Sequence, residues 1–193
     1  MSNAEELLAF WLEDVGPRGW YIRNDDVDRK ITERYGALWL EAQEEDHLGW
    51  TSTPRATLAL LILLDQFPRN MFRGDGKSYA TDKLARCVAK KAIEKGWDKR
   101  IDGPERQFFY LPLMHSECLT DQDRCVRLMR ERMGVEGQSN ILHARAHREV
   151  VRRFGRFPHR NVELGRNNTP AETAFLSAGG YAALVNDMEK QAA

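Results

Sequence analysis

Apolar residues recur along this chain at helical spacing almost from end to end. Ile31, Tyr35, Leu38, Trp39 and Ala42 fall on one stripe, which predicts a helix over 26–45. Val150, Val151 and Phe154 define the buried stripe of a helix over 141–154, and His143 and His147 continue it at i−4 spacing. Residues 58–64 are apolar on every face, which predicts a central buried helix. A further helix over 104–114 carries Phe108, Phe109, Tyr110 and Leu111, and Pro112 is expected to kink or end it.

The helix boundaries are also written in the sequence. Thr53-Pro54 and Thr169-Pro170 read as starts, with Thr capping and Pro in the first turn, and Glu172 is placed for a capping box. Thr120-Asp121 opens another helix, while Gly96, Gly134 and Gly155 read as terminators. No alternating run of convincing length suggests a strand. The expected fold is all-α, with about eight helices in a helix-turn-helix stack. One domain over 1–193 is expected, with 181–193 as a C-terminal tail.

Composition narrows the function classes. Hydrophobic residues make up 42% and charged residues 30%, as in a soluble globular protein. Lysine plus arginine and aspartate plus glutamate each number 29, so no global field recruits nucleic acid or membrane. Charge is nevertheless segregated. Residues 1–50 hold twelve acidic against five basic residues, and 145–166 hold seven arginines against Glu149 and Glu163. That asymmetry suits an anionic ligand, packing of one part on the other, or both. Cys87, Cys118 and Cys125 have no CxxC spacing, which fits buried thiols in a cytoplasmic protein and gives no thiolate zinc site. Glu5 and Glu6 stand where a signal peptide needs a basic start, and residues 58–64 are too short to span a bilayer.

Two stretches carry the candidate chemistry. "DQFPRNMFRG", residues 65–74, follows the apolar helix, so Asp65 and Gln66 are expected to be buried with it. A buried carboxylate needs a partner, and Arg69, Asn70 and Arg73 are within reach across Pro68. A structural knot is the favoured account, and a pocket floor the sharper one. "GRFPHRNVELGR", residues 155–166, repeats the Phe-Pro anchor and the Arg-Asn pair, here Arg160 and Asn161, flanked by His159 and Arg166. Guanidinium forks on a rigid bend suit carboxylates and phosphates. The competing account pairs these arginines with Asp65, Glu117 or Asp82 in the core. His115-Ser116-Glu117 adds a histidine and a carboxylate that could act as general acid and base. His143 and His147 have the i, i+4 spacing of helical metal ligands, but the intervening residues lack a zincin glutamate. Neither a metal nor a cofactor is expected.

The motifs "ILLDQFPRNMFRG", "YATDKLAR", "YLPLMHSE", "RFGRFPHRNVELGR" and "TPAETAFL" together resemble the bacterial domain of unknown function 924 family over nearly the whole chain. The resemblance implies an all-helical fold similar to tetratricopeptide-type stacks and carries no activity with it. Cys118 departs from the acidic residue that the family pattern leads us to expect after "HSE".

The motif ends are expected to converge on one pocket containing Asp65, Arg69, Arg73, His115, Glu117, His159, Arg160 and Arg166. Binding of a small phosphate or carboxylate is the leading reading, with His115, Glu117 and His159 as proton-handling groups and Asn70 and Asn161 among the ligand contacts. A helical protein-interaction module is the alternative. Metal-dependent hydrolysis through His115, Glu117, His143, His147 and His159 comes last. Nucleic acid and membrane are not expected partners.

Overall fold

A computed structural model describes residues 3–43 and 49–192. Packing divides the chain at Pro112: Met1–Pro112 form one compact unit and Leu113–Ala193 a second. Every regular element among the described residues is helical. None of their helices is long and apolar enough to cross a membrane.

The first unit is built around its most apolar segment. Thr53 Oγ1 accepts the amide proton of Ala56, Pro54 fills the first turn, and helix α4 (Pro54–Leu61) follows. Residues 58–64 are fully enclosed. Pro68 then dictates the local geometry. It has no N–H for the carbonyl of Leu64, and its ring would collide with that carbonyl in a regular helix. The chain responds by widening into π-type turns over Ile62–Gln66, with the Phe67 amide bonding back to Ile62 O. The released Leu64 carbonyl is met by Thr81 Oγ1 at 2.6 Å, and Thr81 in turn accepts from Trp39 Nε1. Helix α5 (Phe67–Met71) continues beyond the proline.

Helix α1 (Asn3–Leu8), α3 (Asp25–Glu41) and α6 (Asp82–Glu94) pack on this segment, and α2 (Gly16–Gly19) packs on the wide turns of Ala9–Val15. Phe10, Trp11, Tyr35, Phe67 and Phe108 interlock at its centre, with ring centroids from 5.0 to 6.5 Å apart. Helix α3 starts at Asn24, whose side chain accepts two amide protons. The last two positions of the expected 26–45 helix lie outside the described residues.

Three expectations are corrected. The 104–114 segment is not one helix. A 3₁₀ turn over Pro104–Phe109 ends at Tyr110, and Pro112 sits near the start of α7 (Leu111–Met114), where a missing N–H does no harm. Helix α8 (Leu119–Arg132) is capped at Cys118 and not at Thr120, because the buried Ser116 hydroxyl accepts the Cys118 amide and donates to Asp121. Of the thiols only Cys125 is buried; Cys87 and Cys118 are exposed.

In the second unit α8 packs on α9 (Gln138–Phe154), which Gly155 ends in the left-handed conformation, φ 68°. Helix α10 (Pro170–Ser177) carries the expected capping box. Residues 181–192, set aside above as a tail, lie in α11 (Gly180–Ala192), because Leu184 and Val185 are buried with Val150, Val151 and Phe157.

The start of α10 supports a pH prediction. Glu172 is enclosed, accepts from Arg156 Nε and Nη2 at 2.6 and 2.8 Å, and accepts the Thr169 amide at 2.7 Å. The bonds from Arg156 bring its pKa down from 4.5 to about 2 against the opposing effect of burial. A depressed carboxylate stabilises the fold above its ordinary value, and that stability is lost as the pH falls through the folded value. Glu172→Gln should therefore lower the melting temperature near neutral pH, and its deficit should shrink between pH 4.5 and about 2. A deficit equally large at both ends of a melting series would contradict this.

Candidate functional site

Four of the sequence-derived site residues lie in the first unit: Asp65 is itself a carboxylate, and Arg69, Asn70 and Arg73 each meet one. Asp65, only 1% exposed, accepts from Gln66 Nε2 at 2.6 Å and lies 3.8 Å from Arg69 Nη2. Arg69 also donates to the Asp65 carbonyl at 2.6 Å and to Asp82 at 2.9 Å. Its pKa is raised, because Asp65 and Asp82 outweigh the opposing effect of burial. Asn70 and Arg73, expected to reach Asp65, bind Asp28 instead: Asn70 Nδ2 at 2.7 Å and Arg73 Nη2 at 2.9 Å. Helix α3 packs on α5 and brings Asp28 there.

The other site residues lie in the second unit. Phe157 and Pro158 are buried, and Pro158 opens a single 3₁₀ turn, Pro158–Arg160. Glu117 holds the entry to this bend. Its Oε1 accepts the Phe157 amide at 2.8 Å, and Arg166 grips both oxygens at 2.8 and 3.0 Å. Burial opposes ionisation of Glu117, but the Arg166 fork and the Phe157 amide win, and its pKa is lowered. Arg166 thus follows the pairing account.

Phe157 is the hub of a compact cluster. The Arg160 guanidinium stacks on its ring, 4.5 Å from the centroid. The His147 ring meets it edge-on at 5.5 Å, and His159 lies 5.6 Å away. His115 approaches His147 at 6.1 Å. Arg160 is 6% exposed, His115 partly buried, and His159 at the surface. The His147 pKa is well below 6.5: burial contributes most, followed by the repulsion of His115, with Arg160 and His159 adding to it. Asn161 is enclosed; its amide donates to Asn168 at 2.7 Å, and its Oδ1 finds no donor among the described residues.

The basic segment is largely self-neutralised. Arg152 and Arg153 share Glu149, and Arg156 takes Glu172. Among the described residues, no group of three or more His, Cys, Asp or Glu side chains could hold a metal ion.

Residues 7–180 match the model of a family described as bacterial protein of unknown function (DUF924). The chain belongs to this family. It is also similar to a solved structure, a protein of unknown function from Agrobacterium tumefaciens, at 40% identity. That likeness covers 90% of this chain and 96% of the other, with a TM-score of 0.83. No curated protein matches. Both similarities agree with the all-helical fold and the resemblance read from the motifs.

One site residue escaped the sequence reading. Tyr181 Oη lies within hydrogen-bond reach of both His143 Nδ1 and His147 Nδ1, at 2.8 and 3.0 Å. Its signal was the α11 stripe of Tyr181, Leu184, Val185 and Met188, hidden when that segment was set aside as a tail.

Proposed function

We propose that the second unit of this DUF924 protein binds a small phosphate- or carboxylate-bearing anion at Arg160, with His115 and His159 at the edge of the site. The observation that carries the reading is the environment of His147. A partly buried imidazole packed beside His115 and against the Phe157 ring that also carries Arg160 and His159 is disfavoured as a cation, and the same potential favours an anion. Arg160 is fixed against the Phe157 ring, so its fork is ordered before a ligand arrives. Asn161 Oδ1 adds a buried acceptor of the kind that a ligand hydroxyl or a water satisfies.

In this reading Glu117 and Arg166 shape the bend, and Asp65, Arg69, Asn70 and Arg73 brace the first unit. Arg160→Lys keeps the charge and removes the fork. A thermal-shift screen of inorganic phosphate and small phosphorylated or carboxylated metabolites should find an anion that stabilises the wild type. The variant should bind it about 1–3 kcal/mol more weakly. Equal responses, or no response from the wild type, would refute the site.

The alternative of a protein-interaction module draws on a different feature. A groove of about 380 Å³ runs beside α9 and α11, lined by Arg145 and Arg148 over Phe175, Leu184 and Met188. Such a module would bind its partner regardless of Arg160→Lys.

A further inference from the structure

His143, Tyr181 and His147 form a hydrogen-bonded chain whose proton positions follow from elementary bonding. His147 Nδ1 lies 2.8 Å from the backbone oxygen of His143, which only accepts. The proton of neutral His147 is therefore on Nδ1, and Nε2 carries the lone pair. Tyr181 Oη lies 3.0 Å from the same Nδ1 and 2.8 Å from His143 Nδ1. With the one His147 Nδ1–H shared between that carbonyl and the phenol oxygen, the phenol's own proton goes to His143 Nδ1, so His143 carries its proton on Nε2. Tyr181 stacks over His143 and packs edge-on to His147, which fixes the hydroxyl between them.

From this geometry we infer that His147 accepts a proton from the bound anion and that Tyr181 and His143 relay it to the surface. The inference rests on the proposed anion site for the source of the proton. It narrows the ligand class to anions that also present an O–H or N–H, such as a hydroxy acid or a monoprotonated phosphate.

Each step balances. His147 Nε2 takes a proton and the ring becomes an imidazolium. Its Nδ1–H passes to the Tyr181 oxygen as the Tyr181 proton passes to His143 Nδ1. His143 becomes the cation and releases its Nε2 proton to water. The product tautomer of His147 is the less stable one, because its bare Nδ1 faces the His143 carbonyl, so the reverse sequence returns a proton to the site and restores both resting tautomers. The groups around the chain suit the direction of travel. His115, His159 and Arg160 lie on the His147 side and repel a retained charge there. Glu189 attracts charge on the His143 side, although burial keeps the His143 pKa lowered overall. Burial pushes the Tyr181 phenol up, so the middle of the chain keeps its proton.

The test is ¹⁵N-resolved NMR of the full chain with labelled histidine, with no anion added, so that its outcome is separate from the anion screen. The expected spectrum has neutral His147 as the Nδ1–H form and His143 as the Nε2–H form. Tyr181→Phe keeps the ring and removes the relay, and solvent exchange of the His147 Nδ1 proton should slow roughly a hundredfold, within the range of a positioned proton-transfer group. His143→Gln, at a half-buried position, should slow it similarly, and serves if the tyrosine variant folds poorly. An Nε2–H form of His147, or exchange that is unchanged or faster in the variants, overturns the relay. A chain of static structural bonds predicts that unchanged rate.

Discussion

Asp65→Ala is expected to destabilise the protein by about 3 kcal/mol, near the lower end of the range for removing one partner of a buried pair. The carboxylate is enclosed and meets both Gln66 and Arg69. Its loss leaves the Gln66 amide without this acceptor and removes the Asp65 contact of Arg69, whose bond to Asp82 at 2.9 Å stays. The melting temperature should drop by roughly 6–12 °C for a chain of this size. Asp65→Asn keeps an acceptor of the same shape and should lose less. A melting temperature for Asp65→Ala equal to that of the wild type would show that the residue does not hold the bend.

Local chemistry made much of this legible in the sequence. The Thr-Pro starts, the capping box and the glycine terminators act over a few residues, and all are where the pattern puts them. Asp65 could be seen as buried because it extends an apolar helix, and Arg69 is its i+4 neighbour. Partners distant in sequence were harder to assign. Glu117 was named as a carboxylate that could pair with an arginine of the second bend, but nothing local selects Arg166, 49 positions away, over Arg160. Asp28 gave no signal at all, since it is one of several acids at the start of α3 and meets Arg73 only through packing of α3 on α5. The repeated Arg-Asn pairs also proved unequal. Arg69 lies between two carboxylates, whereas Arg160 stacks on an aromatic ring near histidines and helps to lower the Glu117 pKa. One recurring motif thus sits in two different surroundings.

That difference makes Glu117 the most informative residue to change after Asp65. Glu117→Ala removes the acceptor of the Phe157 amide and both fork contacts of Arg166. Arg166 keeps one bond to the Phe157 carbonyl at 3.2 Å, and both side chains are partly solvated, so the loss should be about 2 kcal/mol, below that of a fully buried pair. The melting temperature should fall by roughly 4–8 °C. Because the lost contacts hold Phe157, and Phe157 carries Arg160, the same variant should also weaken the response to an anion without touching it. Glu117→Gln keeps one acceptor for the amide and loses the charge, so it should fall between the two. Acid supplies an independent check. The Glu117 pKa is lowered, so its contribution is present above the ordinary carboxylate range and disappears as the pH drops through the depressed value. The wild type and Glu117→Gln should accordingly converge in stability at low pH. If Glu117→Ala melts with the wild type and answers phosphate equally well, the Glu117–Arg166 pair does not position the bend, and the aim of Arg160 must come from Phe157 packing alone.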